Sequence, residues 1–300
     1  MRDLDFLIIG AQKSGTTTLW KLLDEHPGVY VPPGKELAFF NKDPYKPEAY
    51  SMFIKEHFSR AGGHQVIGKA TPHYLSDPMT ASRIIEKLPD CKLIVILRDP
   101  VDRALSHFRM SVRRELETRS FEEMVTEELH PEALKNARSM RADEISENHT
   151  YLAWGEYGRL LNAYRFYYEN GQLLVLFTAD LEKNPDATMK KILDFIGQPI
   201  ADLPSLGQKL HQGGIRQKLP ILSYLKKIPI LRSAWRLVPE RFRKQFYFSF
   251  SQWNIAPSSD NILNYSAEII LLLRKHFSQD DAALREFINS APPWPAFDAE

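Results

Sequence analysis

The chain has 300 residues, with 39 Lys and Arg against 38 Asp and Glu, so its formal net charge is +1. This balance excludes a global electrostatic pull on nucleic acid, and any polyanion contact would have to be local. An apolar fraction of 43% with 26% charged residues excludes a disordered or fibrous chain and suits one α/β domain. The single cysteine, Cys91, excludes an internal disulfide, suits a reducing compartment and reads as a small hydrophobe leading into a strand. The first apolar run is too short for a secretory leader, and no stretch approaches the ~20 apolar residues of a membrane span. A soluble, cytoplasmic protein is the expectation.

Phe6, Leu7, Ile8 and Ile9 form a short, partly β-branched apolar run stopped by Gly10, which predicts a buried strand. Gly15 then opens a helix whose Leu19, Leu22 and Leu23 recur at helical spacing, predicting one apolar stripe against a sheet. Strand, glycine-bearing loop and helix start together make an anion site, because unsatisfied N–H groups and the positive end of the helix dipole converge there. The expected ligand is a phosphate. The spacing is near that of a Walker A loop, with Gly10, four residues, Gly15, then Thr16 and Thr17. A nucleoside triphosphatase needs lysine directly after the second glycine. Here Thr16 holds that place and the lysine is Lys13, in mid-loop.

Asp24 to Gly28 stops the helix, and Val29, Tyr30 and Val31 predict a short extended piece before Pro32-Pro33-Gly34. Lys35-Glu36-Leu37-Ala38-Phe39-Phe40 follows, a carboxylate beside a lysine and then a double aromatic. Gln65 to Gly68 predicts a second strand leading into Lys69-Ala70-Thr71-Pro72-His73-Tyr74-Leu75. Here His73, beside proline and tyrosine in a loop, reads as a structural or solvated group with a base role as the alternative. Lys92 to Leu97 is the clearest buried strand, its nearly continuous apolar character suiting a parallel sheet covered on both faces. Arg98 ends it, where open α/β sheets place ligand-binding groups. Asp99 and Pro100 start a helix carrying Arg103 and Ser106.

Between Arg113 and Thr150 the chain is charged and mostly acidic, with Phe121, Met124, Val125 and Leu129 at helical spacing. The favoured reading is a solvated helical insertion, and the alternative is a lid over a substrate. Tyr151 to Tyr157 leads into a long helix with Leu160, Leu161, Tyr164 and Tyr168, capped by Gly171. Leu173 to Phe177 predicts another strand, and Asn184-Pro185 starts a helix ended by Gly197. His211 to Lys218 is a glycine-bearing loop with cations Arg216 and Lys218. Residues 224–248 interleave cations with aromatics, which suits either an anionic membrane or acidic-glycan contact or a pair of helices packed on the core. Leu271 to Phe287 is helical in pattern, and the tail is expected to pack by the indole of Trp294.

Lys13-Ser14-Gly15-Thr16-Thr17 resembles the 5′-phosphosulfate loop of the sulfotransferases that use 3′-phosphoadenosine 5′-phosphosulfate (PAPS). Arg98, Asp99, Pro100, Arg103 and Ser106 resemble that family's 3′-phosphate motif without a gap. The segment from Lys35-Glu36 to Phe39-Phe40 resembles the heparan-sulfate-type and bacterial branch, and the likeness runs in order from Leu4 to Leu219. The resemblance implies a P-loop-type central parallel sheet flanked by helices, with a helical C-terminal extension. It implies one sulfotransferase domain over 1–300, with both motifs in a 1–210 core and a cofactor-covering loop and helices in 211–300. Gln12, Lys13, Ser14, Gly15, Thr16, Thr17, Arg98 and Ser106 are then donor contacts, with Arg216 and Lys218 covering the nucleotide.

Lys13 would also act on the leaving phosphate, and Glu36 would be the general base with His73 as runner-up. Lys69, where the family more often has glutamate, and Thr71 would line the acceptor side, with a mere surface change at Lys69 as the alternative. No metal is implied, since lysine and helix dipole take its place, and the acceptor would be a glycan, lipid or other small molecule rather than nucleic acid. Two other readings stand beside this one. A P-loop kinase or NTPase is opposed by the place of Lys13 and by the lack of a magnesium carboxylate after an apolar strand. A non-catalytic nucleotide-binding module at a membrane surface would use 224–248.

Overall fold

The computed structural model describes residues 2–33, 36–63, 65–143, 146–207 and 265–297, together with the backbone of two short strands at 216–217 and 255–256. The central strand β1 (Phe6–Gly10) is buried along its whole length. It lies in a five-stranded sheet with β2 (Val29–Tyr30), β3 (Val66–Ala70), β4 (Lys92–Leu97) and β5 (Leu173–Phe177), in the order β2-β3-β1-β4-β5. Every pairing is parallel, with Phe6 opposite Gly68 on one side and Lys92 on the other, and Ile94 opposite Leu174. From β1 the chain passes to the edge strand β2, returns inward to β3 and then crosses to β4 and β5 on the other side, so the winding reverses beside β1. Crevices at such a reversal, outside the carboxyl ends of the strands, are where open α/β sheets bind ligands.

Helices fill both faces: α1 (Thr16–Asp24), α2 (Tyr50–Phe58), α3 (Thr80–Lys87), α4 (Pro100–Arg113), α5 (Phe121–Glu128), α6 (Pro131–Ser139), α7 (Tyr157–Asn162), α8 (Arg165–Glu169), α9 (Thr178–Lys183), α10 (Pro185–Ile196) and α11 (Ala267–Ile288). The two-residue period of a strand divides the core between the two layers. Phe6, Ile8, Ile94 and Ile96 face Leu19, Leu22 and Leu23 of α1 and Met189, Ile192 and Leu193 of α10. Leu7, Ile9, Leu93, Val95 and Leu97 face the other layer, where Phe53, Ile84, Phe108, Phe121, Leu161, Leu273 and Phe277 pack. Each fully buried Leu, Ile or Phe contributes about 1.5–3 kcal/mol by leaving water. A charge placed at Ile94, between two buried layers, would break the sheet first.

The expected strands are present, and β3 runs on to Ala70, which makes Lys69 a strand residue. Gly197 closes α10 at φ +74° and Gly171 follows α8 at φ +69°, both left-handed positions that glycine takes without strain. The long helix expected after Tyr157 is broken at Tyr164 (φ −105°, ψ 15°) into α7 and α8. There Tyr164 Oη donates to the Tyr74 carbonyl at 2.6 Å and Tyr167 Oη to that of Leu88 at 2.7 Å, so two phenols reach back beneath the sheet.

The charged segment after Arg113 is not a solvated insertion. Phe121, Met124 and Val125 are fully buried, α5 starts on a Ser120–Glu123 capping box, and Glu117, Glu128 and Glu147 all turn inward. The tail packs as expected, with Trp294 Nε1 donating to Asp281 at 2.8 Å. Cys91 is buried, and burial pushes its thiol well above the ordinary range. The strands β6 (Arg216–Gln217) and β7 (Ile255–Ala256) pair antiparallel. Lys218 and the stretch 224–248 lie outside the described residues. Among the described residues no helix is long and apolar enough to cross a membrane.

Candidate active site

The loop after β1 is tied on three sides. Ala11 N donates to the Ile96 carbonyl at 2.8 Å, joining the loop to β4. Thr178 Oγ1 donates to the carbonyls of Ser14 (2.7 Å) and Leu97 (3.1 Å), bracing the loop from the end of β5. At Gly10 a Cβ would stand 2.6 Å from Leu75 Cβ, so the chain leaving β3 packs directly on the end of β1. Lys13 (φ +72°) and Gly15 (φ +102°) both adopt left-handed backbone. Glycine does so freely, whereas for lysine such a conformation costs about 1–2 kcal/mol. No side chain caps α1, so its first turn presents backbone donors at the C-terminal edge of the sheet. Ser14 and Thr16 are buried, and Lys13 reaches over α4, with Nζ 3.6 Å from Met110 Sδ.

The neighbouring β4 delivers Arg98 to the same edge. Asp99 caps α4, as expected of it, accepting from Val101 N (2.9 Å) and Asp102 N (3.1 Å). The half-exposed Arg98 leans on Asp102 at 3.4 Å, and Ser106 follows one turn later on the same helical face. Arg103 faces the other way. It is fully buried, donates to the Tyr151 carbonyl and lies 3.4 Å from His107 Nδ1, so it clamps the segment 147–154 to α4.

At the end of β3 the structure corrects the acceptor-side expectation. Lys69 is fully buried, and its Nζ donates to the Leu37 carbonyl and to Tyr74 Oη (2.6 Å), over the rings of Phe53 and Tyr74. Burial, reinforced by the charge of Lys42, holds its pKa well below the usual lysine range. Strand alternation explains its direction: Ile67, two residues earlier, faces the same aromatic layer. Tyr74 Oη also accepts from the N–H groups of Phe39 (3.2 Å) and Phe40 (3.3 Å). Thr71 is buried as well, its Oγ1 3.4 Å from the Leu37 carbonyl. Lys69, Thr71 and Tyr74 therefore anchor the segment that follows the exposed Glu36. They do not line an open cleft.

A cluster that spacing does not announce stands beside Lys13. Glu147 is 2% exposed, and its carboxylate accepts from Gln12 Nε2 (2.8 Å), Arg114 Nη1 (2.5 Å) and His73 Nε2 (3.2 Å). Burial alone would raise its pKa, but the His73 hydrogen bond, the Arg114 charge and the Gln12 amide prevail and hold it below the ordinary value, so it is ionised. Gln12 therefore turns its side-chain amide toward Glu147 and His73. The buried Trp154 meets His73 edge-on at 5.4 Å and stacks on His107 at 5.3 Å. Burial, then the charges of Arg103 and Lys13, drives the His107 pKa well down, which leaves that ring neutral. Among the described residues no group of three or more His, Cys, Asp or Glu is placed to hold a metal ion.

The uncapped start of α1 with Lys13 in the loop before it, and Arg98 with Ser106 nearby, can each seat an anionic group, and the Glu147–His73 pair can hold a proton. A family model described as Sulfotransferase domain matches residues 3–212, more than half of the chain. The chain is 38% identical over 111 residues to the Membrane-associated sulfotransferase kil1 of Dictyostelium discoideum, covering 36% of this chain and 23% of that protein. It is 28% identical over 191 residues to the mouse Heparan sulfate glucosamine 3-O-sulfotransferase 3B1, covering 64% and 45% of the two chains. It thus spans less than half the length of these curated relatives. The crystal structure of a sulfotransferase from Alicyclobacillus acidocaldarius shares the fold at a TM-score of 0.64 and 23% identity, over 97% of this chain and 98% of that one.

Proposed function

The chain belongs to the sulfotransferase family, and we propose that it moves a sulfuryl group from PAPS to a hydroxyl or amine of a glycan-type, lipid or other small-molecule acceptor. One observation carries the reading: Lys13 stands in the loop before the uncapped start of α1 and reaches α4, its Nζ 3.6 Å from Met110 Sδ, while Arg98 follows the adjacent strand β4 and Ser106 stands on α4. A bisphosphate nucleotide needs both places. A nucleoside triphosphate gives no reason for the second.

PAPS supplies an activated sulfuryl group on its 5′-phosphate. The N–H groups from Ser14 to Thr17, with the hydroxyls of Thr16 and Thr17, would cradle that phosphate, and Lys13 would stabilise the charge that grows on its leaving oxygen. Arg98, released from its 3.4 Å contact with Asp102, would pair with the 3′-phosphate together with Ser106. Arg216 and Lys218 would cover the nucleotide from the following segment. Proton removal would fall to Glu36 or His73, and a positioned base contributes ~10²–10⁴-fold. The remainder is orientation and charge stabilisation, as in phosphoryl transfer.

Incubation with sulfur-35-labelled PAPS and a panel of desulfated glycans, lipid headgroups and small alcohols or amines tests the reading. Label should reach at least one acceptor class and Lys13→Ala should abolish this. Transfer that survives Lys13→Ala would sink it.

A further inference from the structure

Glu147 lies 135 positions from Gln12 in the chain, yet the fold brings them together beside Lys13. An ionised carboxylate only accepts hydrogen bonds, and this fixes the polarity of both neighbours. Glu147 Oε1 and Gln12 Nε2 both lie 3.2 Å from His73 Nε2; the ionised carboxylate favours the ring proton on Nε2, which leaves the lone pair on Nδ1. The Gln12 amide must turn its NH2 to the carboxylate. Its Oε1 is consequently buried with no protein partner. A structural ion pair would account for Arg114 against Glu147, but not for a buried amide oxygen left unbonded one residue from the loop lysine, since buried acceptors are ordinarily satisfied.

We propose that Glu147 is a positioning residue of the transfer site, holding His73 as the group that takes the acceptor's reacting proton and Gln12 Oε1 as the oxygen that receives a second donor of the acceptor, a neighbouring hydroxyl or the other N–H of an amine. The proposal rests on the sulfotransferase reading above and assigns the proton to His73 rather than Glu36. The acceptor's O–H bond breaks and its proton goes to His73 Nδ1. The oxygen's electron pair forms the new O–S bond. The S–O bond to the 5′-phosphate breaks with its pair on the phosphate oxygen, beside the Lys13 cation. The imidazolium so formed is balanced by Glu147, which itself stays ionised. Trp154, against the edge of His73, keeps the ring from turning.

Two measurements decide it, one of them independent of turnover. In the protein without substrates, nitrogen-15 spectra of labelled histidine should show the neutral His73 ring protonated on Nε2 in the wild type and a mixture of tautomers in Glu147→Leu. In transfer assays, Glu147→Gln should lower kcat by about 10²–10³-fold while acceptor KM and donor affinity stay within about twofold. Glu147→Asp should recover part of the loss. His73→Ala should lose as much as Glu147→Gln, and the double variant no more than either, as for residues acting as a unit. A wild-type ring protonated on Nδ1, or variants at Glu147 and His73 that keep turnover while Glu36→Gln abolishes it, would overturn the proposal. If the wild type neither binds the donor nor transfers label, the donor reading fails instead, and the tautomer result still judges Glu147.

Discussion

Glu128 ends α5 with its carboxylate inside the protein, accepting from the N–H groups of Tyr151 (3.2 Å) and Leu152 (2.8 Å). With Arg103 it secures the segment that carries Glu147 and Trp154. Burial raises its pKa from 4.5 to about 7, which the two N–H bonds and the charges of Arg119 and Arg103 only partly oppose. An acid whose folded pKa lies above its unfolded one binds its proton more tightly when folded, so stability falls as pH rises through that interval. The contribution is complete below about pH 4.5 and lost above about pH 7. At about 1.4 kcal/mol per pH unit the interval corresponds to about 3 kcal/mol. Glu128→Gln cannot titrate there. The unfolding free energy of the wild type relative to this variant, from urea melts at pH 4.5, 6 and 8, should therefore fall by about 3 kcal/mol across the series, while all other titrations cancel. A difference that stays constant with pH would refute the placement of a buried, reluctant carboxyl at this position.

Other consequences follow from the same geometry. Thr178→Val removes the hydroxyl bonded to Ser14 and Leu97, should lower stability by about 1–2 kcal/mol and should weaken nucleotide binding; thermal melts and calorimetry unchanged from wild type would show that the brace is idle. Gly15→Ala places a side chain at φ +102°, costs about 1–2 kcal/mol unless the loop shifts, and should weaken donor affinity at least tenfold if Lys13 moves with it. Lys69→Met keeps an apolar stem over Phe53 and Tyr74 but drops the bonds to Leu37 and Tyr74. Through Tyr74, which follows His73 and holds Phe39 and Phe40, it should reduce kcat and leave donor affinity intact, whereas an equal loss of both would mean that Lys69 reaches the nucleotide.

The sheet, the phosphate loop and the Arg98 helix start are legible in the sequence because each is local. An apolar run, a glycine and a helical stripe lie within about 20 residues of one another. Lys69 was misread because a lysine is ordinarily solvated, although alternation from Ile67 already pointed it inward. Arg103 belongs by resemblance to the family's 3′-phosphate motif, yet it sits three residues before Ser106 on the buried face of α4, where it serves as a clamp. Glu147 carried no readable signal. It stands in an acidic stretch that looks solvated, and only tertiary folding brings it to Gln12 and His73. The break between α7 and α8 depends likewise on long-range bonds from Tyr164 and Tyr167, which no local periodicity encodes.

The central claim is that this site binds a nucleotide carrying both a 5′- and a 3′-phosphate. Calorimetric titration of 3′-phosphoadenosine 5′-phosphate into the wild type and Arg98→Ala, with AMP and magnesium-ATP as controls, tests it most directly. Micromolar binding of the bisphosphate alone is expected, weakened in the variant by about 1.5–3 kcal/mol, or about 10–100-fold. A preference for magnesium-ATP, equal binding of AMP, or an Arg98→Ala titration that matches the wild type would contradict it.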